Sequence, residues 1–177
     1  MPIRTGFANH VEMVHRPGEA ELAFKLLALL GCSPKSLPAP FAGVVFHSSD
    51  DLTLWVSEVT PEQWAFEQWL EGQLKAGGTA ESAAFAESLK FRPQKYGHFG
   101  IGLATLGEWE ALVDRLRDAA ETDPDLRGRV SLPLVKRPED EGSIARETHG
   151  QLATTLYQAF LRTDIVAAGL LTLGQGI

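Results

Sequence analysis

Two of the five histidines stand out by their setting. His10 lies in Phe7–Val14, where Phe7, Val11 and Met13 share one strand face and Ala8, His10, Glu12 and Val14 share the other. His98 lies in Gly97–Ala104, opposite Phe99, Ile101 and Leu103. Successive side chains on a strand point to opposite faces, so each imidazole is set against the face carrying the large apolar residues. Gly100 and Gly102 leave room beside His98. Imidazoles of this kind suit a borderline divalent ion such as Zn²⁺, Fe²⁺, Mn²⁺ or Ni²⁺. Glu12, on the His10 face, is a candidate carboxylate or substrate contact. Tyr157 and Arg162, late in the chain, are placed to orient a substrate. His15 and His47 flank turns and read as surface residues, and His149 falls in a stretch ambiguous between loop and helix. Cys32 follows a helix C-terminus, where the helix dipole does not favour a thiolate.

Other catalytic signatures are missing from the sequence. There is no phosphate-binding Gly-x-x-x-x-Gly-Lys loop, no Gly-x-Ser-x-Gly elbow and no His-Glu-x-x-His. GHFGIG is a glycine-rich strand rather than a phosphate loop, because no helix opens directly on it.

The elements that must position these residues can be read from periodicity. After the first strand, Ala20, Ala23, Phe24, Leu27 and Leu30 form one helical stripe over Glu19–Leu30, closed by Gly31. Pro34, Pro38 and Pro40 restrict any following strand to a short edge strand. Phe41–His47 and Leu52–Val59 read as strands around a Ser-Ser-Asp-Asp turn. Thr60-Pro61-Glu62-Gln63 is a helix start with Gln63 placed to close a capping box, and Phe66, Trp69 and Leu70 form that helix's apolar seam. A second short helix spans about Ala80–Leu89. The strand around His98 then leads into a helix over Glu108–Ala120, with Trp109, Leu112, Val113 and Leu116 on one face. Val130–Val135, Thr155–Arg162 and Leu170–Ile177 read as the last strands, the first of them weakened by Pro133.

The order repeats. His10 and His98 are 98 − 10 = 88 residues apart, and at that offset Val11 meets Phe99 and Met13 meets Ile101. The two helical stripes match at an offset of 89. Internal repeats of this kind decide a fold. The expectation is an α+β fold of two βαβββ modules, residues 1–60 and 95–177. Residues 61–94 form a helical insert, all within one structural domain.

Composition bounds the function. Sixteen Lys and Arg against 23 Asp and Glu give 16 − 23 = −7, which argues against nucleic acid as a partner. Apolar residues at 44% and charged residues at 22% fit a globular chain able to bury a core. A single cysteine rules out a disulfide scaffold and fits a reducing compartment. No run approaches the roughly 18 apolar residues of a membrane span, and the N-terminus lacks a secretory h-region. A cytoplasmic location, no membrane association and a homodimer are expected, the last helped by the apolar surface of Phe66, Trp69 and Leu70.

NHVEMV followed by EAELAFKLLALLG, the LTLWVSEV strand, GHFGIGLA followed by EWEALVDRL, and the LYQAFLRTD and GLLTLGQGI strands resemble the vicinal oxygen chelate superfamily. That group includes glyoxalases, bleomycin-resistance proteins and extradiol dioxygenases. The likeness covers most of the chain outside the insert, on loose motifs. It implies a curved mixed sheet from both modules around a central cleft, with helices outside, and metal ligands from the first and last strands of each module. Carried onto this sequence, these are His10, His98 and Glu58. Gln175 stands near where a fourth ligand, a Glu, is expected, and the usual Asp-Pro-Asp-Gly turn is absent. Glu58 ends the face of Leu52, Leu54 and Val56, so strand twist or a bulge must turn it toward the metal.

The implied function is a divalent metal binding a small substrate through vicinal oxygens, with lyase, isomerase or dioxygenase chemistry all open. The alternative is a metal-free small-molecule binding or sequestration protein of the bleomycin-resistance type, in which Trp55 and Phe46 matter more than the histidines.

Overall fold

The computed structural model describes residues 10–36, 42–46, 53–91, 97–138 and 156–174. It is a mixed α+β structure whose first part runs β1 (His10–His15), α1 (Ala20–Leu29), β2 (Cys32–Ser36), β3 (Ala42–Phe46) and β4 (Thr53–Glu58). These strands lie in the order β2-β3-β4-β1. β1 and β4 are parallel neighbours, while β2–β3 and β3–β4 are antiparallel. Parallel pairing requires a long crossover, and α1 with the β2–β3 hairpin supplies it. β2 is an edge strand, which is where Pro34, lacking an N–H, is tolerated.

Met13 of β1 and Leu54 and Val56 of β4 share one core with Ala23, Leu26 and Leu27 of α1. In register, Val11 faces Leu54 and Met13 faces Val56, so this parity of both strands meets the helix. Glu12, Val14, Trp55 and Ser57 belong to the other parity. Gly31, at φ 88°, turns the chain out of α1 directly into β2.

Cys32 is buried in this core, and burial alone pushes its thiol up to about 11. A raised pKa here means the folded chain holds the proton that the unfolded chain releases near 9.0. The stability this contributes is complete below that value and is lost as pH rises toward 11. At pH 8 the folded protein should leave Ellman's reagent unreacted, and guanidinium-unfolded protein should react with one equivalent. Rapid reaction of the native state would show the thiol to be accessible.

α2 (Pro61–Lys75) starts where expected, with the Thr60 hydroxyl accepting a bond from the Gln63 N–H. The box is only half made, because the Gln63 amide instead donates to Glu67 and to the Gly169 carbonyl. The expected apolar seam also differs. Phe66 and Trp69 are 50% and 57% exposed, and the buried residue of α2 is Glu67. α3 (Ala80–Phe91) completes the helical insert.

The second part departs further. Residues 97–104 form no strand. Phe99 and Ile101 do pack against the core, but the alternate positions, His98, Gly100 and Gly102, are exposed and offer a ladder little to pack on. α4 (Leu106–Thr122) begins at a full capping box of Thr105 and Glu108. Its Val113, Leu116 and Ala119 are buried, and Arg115 donates to the Leu29 carbonyl at the end of α1. β5 (Val130–Lys136) and β6 (Gln158–Thr163) make a separate antiparallel ribbon. Its register shifts between Ser131 and Leu134, around Pro133. β7 (Val166–Ala167) adds antiparallel to β1, opposite β4. Leu171–Gly174 is a 3-10 turn rather than the start of a final strand. Among the described residues, no helix is long and apolar enough to cross a membrane.

Candidate functional site

The β1–β4 register decides the fate of the expected chelate. Position 10 pairs with Thr53, whereas Glu58 pairs with His15. Five strand positions separate them, about 16 Å at ~3.3 Å per residue. Five is also odd, so positions 10 and 58 belong to opposite faces of the sheet. No bulge interrupts this pairing to turn Glu58 round. Its carboxylate accepts instead from the Gly18 N–H at 2.8 Å, bracing the turn between β1 and α1. The residues present therefore do not fit a metal held jointly by His10 and Glu58. His98 is exposed, with its ring edge-on to Phe160 at 6.1 Å between centroids. Among the described residues, no group of three His, Cys, Asp or Glu side chains could hold a metal ion.

The weaker candidates are dispersed. Glu12 accepts from the Ser57 hydroxyl at 2.6 Å on the sheet face away from α1. Tyr157 packs edge-on against Trp109 at 5.4 Å. Gln175 lies outside the described residues, as do Phe41, His47 and His149.

A different constellation forms at the far end of β1. Arg16 follows that strand directly, and its backbone carbonyl receives the Glu19 N–H and lies 2.8 Å from His15 Nδ1. Glu19 is the N-cap residue of α1. Arg129 follows Gly128, whose φ of 79° makes the tight turn into β5. Asp164, with 3% of its side chain exposed, sits at the corner between β6 and β7. Arg162 lies on β6 opposite Ser131.

Asp164 organises these groups. Its Oδ2 accepts from Arg16 Nη2 at 2.7 Å and from Arg129 Nη2 at 3.1 Å, while Oδ1 accepts from Arg129 Nε at 3.1 Å. The opposite edge of Arg129 makes a two-pronged bond to Glu19, both contacts 2.8 Å. Glu19 first, then Asp164, hold the Arg129 guanidinium above its ordinary range despite burial. Burial pushes that of Arg162 down. Arg16 is also stacked over the Trp64 ring at 5.5 Å. Its Nε is buried without a hydrogen-bond partner among the described residues.

Arg16, Arg129, Arg162, Ser131, Thr163 and Asp164 line a cavity of ≈ 330 Å³, within the size of small-molecule sites. Of these residues only Arg162 stands out in the sequence, on a late strand. They are spread from position 16 to position 164, and no local spacing marks them. The only local signs are turn residues: Pro17-Gly18 after Arg16 and Gly128 before Arg129.

The first part of the chain thus defines a βαβββ unit of an α+β protein, with a cationic cavity where that unit meets the β5–β6 ribbon. No protein-family model, curated protein or solved structure matches the chain.

Proposed function

We propose that the protein binds a small organic molecule without a metal, in the manner of the binding and sequestration members of the vicinal oxygen chelate superfamily. The observation that carries this reading is the cavity between the βαβββ unit and the β5–β6 ribbon, with guanidinium groups in its wall. The metal-dependent reading loses support from the register that parts Glu58 from position 10. The second half is read as a divergent copy of the first unit. α4 stands for α1, residues 97–104 for the opening strand, and β5 and β6 for two of the three that follow. A second copy of the chain is the proposed partner, and light scattering at high micromolar concentration should show a dimer.

Thermal melting tests the absence of a metal. Curves with chelator, and with added Zn²⁺, Fe²⁺, Mn²⁺ or Ni²⁺, should superimpose. A saturating metal at a hundredfold excess over its dissociation constant would stabilise by about 2.7 kcal/mol. A rise in Tm with metal that vanishes in His10→Ala would restore the chelate. A melting screen of small organic acids, amides and aromatic compounds tests binding itself, with a dose-dependent rise for at least one class expected. A flat response across all classes would remove the reading.

A further inference from the structure

We infer that the cavity takes an oxyanion, the carboxylate or phosphate group of a small molecule, an inference that rests on the proposed small-molecule binding. Its cationic groups are Arg16, Arg129 and Arg162, and its own carboxylate is Asp164. Among the described residues, counting Glu19, bound to Arg129, the cluster carries 3 − 2 = +1. The chain as a whole carries −7, so the remaining charges sum to −7 − 1 = −8. Against that background the guanidiniums of the cavity wall are the groups that attract an anion.

The guanidiniums are not equivalent. Arg129 spends both edges on Glu19 and Asp164. It is a fixed strut that sets the geometry. Arg16 gives Nη2 to Asp164, lies over the Trp64 ring, and has an Nε without a hydrogen-bond partner among the described residues. Arg162 enters from the strand, beside Ser131. Ser131 is exposed and adds a hydroxyl at the rim. A planar fork already oriented by Asp164 and Trp64 loses little freedom when it receives a two-oxygen acceptor, which is the arrangement that favours carboxylate and phosphate.

Isothermal titration with succinate and with inorganic phosphate, at constant ionic strength set by chloride, separates the two sources of the group. Succinamide is the neutral control. Succinate or phosphate should bind and succinamide should not. Arg162→Gln, confirmed folded by circular dichroism, should weaken binding by about tenfold or more, as expected for loss of a charge-assisted bond. Ser131→Glu should abolish binding while Ser131→Gln retains it, and this pair decides the matter if Arg162→Gln fails to fold. Lys75→Gln, on the exposed end of α2, should change nothing. Succinamide binding as well as succinate, or equal affinity in Ser131→Glu and Ser131→Gln, would overturn the oxyanion and leave small-molecule binding standing. No heat from any of the three, together with a flat melting screen, would remove both.

Discussion

Asp164→Ala should destabilise the protein by about 3–5 kcal/mol, the range for breaking a buried ion pair by removing one partner. Two guanidiniums, Arg16 and Arg129, would be left facing each other around an empty carboxylate position. They are only 18% and 24% exposed, so water cannot fully replace Asp164. At roughly 2–4 °C per kcal/mol for a chain of this size, Tm should fall by about 10 °C. Asp164→Asn should fall between, because it keeps the shape and one acceptor but no charge. Circular dichroism melts and urea titrations read the effect. A loss below about 1 kcal/mol would place the cluster among solvated surface pairs.

A comparable loss is expected at Glu67, in the middle of α2. Its side chain is fully buried, and its partners are N–H donors. Oε2 accepts from the Leu171 and Thr172 backbone N–H groups at 2.9 and 3.3 Å. Oε1 accepts from the Gln63 amide at 2.7 Å. The two backbone donors open the 3-10 turn, where N–H groups have no partner inside the turn. Glu67→Ala orphans them, and each buried orphan costs about 1–3 kcal/mol. A loss of about 2–4 kcal/mol in urea unfolding follows, together with faster amide exchange at Leu171 and Thr172. Glu67→Gln, which keeps one acceptor oxygen, should recover a good part of both. Unchanged exchange at those two amides in Glu67→Ala would show that they are bonded elsewhere.

The parts of this structure legible in the sequence are those governed by local pattern. The stripe Ala20–Leu30, the Thr60 cap and the edge character of β2 follow from spacing, hydroxyl chemistry and Pro34. The face each strand turns to the core also emerges where parity is strong, since Met13, Leu54 and Val56 all share the core face. The strand expected around His98 shows the limit of this logic. Alternation places Phe99 and Ile101 toward the core, but a ladder partner is a property of the whole chain. α2 shows another. Phe66 and Trp69 look like its seam, yet Glu67 is turned inward because donors a hundred residues away need a carboxylate. The same holds for the site. His10 and Glu58 looked like partners while register was unknown. The Arg16–Asp164–Arg129–Glu19 chain joins positions up to 148 residues apart (164 − 16 = 148), leaving no periodic trace.

The position of β7 bears on how the chain is made. β1 is flanked by β4, 43 residues on at the His15–Glu58 pair (58 − 15 = 43), and by β7, where His15 meets Val166 across 166 − 15 = 151 positions. During synthesis at ~5–20 residues per second, the first unit can assemble early from contacts within its own span. The Val14–His15 end of the other rim of β1 nonetheless stays unpaired until Val166 leaves the ribosome. For several seconds the nascent chain presents a template for pairing with another chain. Asp164, two residues before Val166, then docks Arg16 and Arg129 as that end is paired. Delayed or truncated synthesis should therefore yield aggregates nucleated at β1.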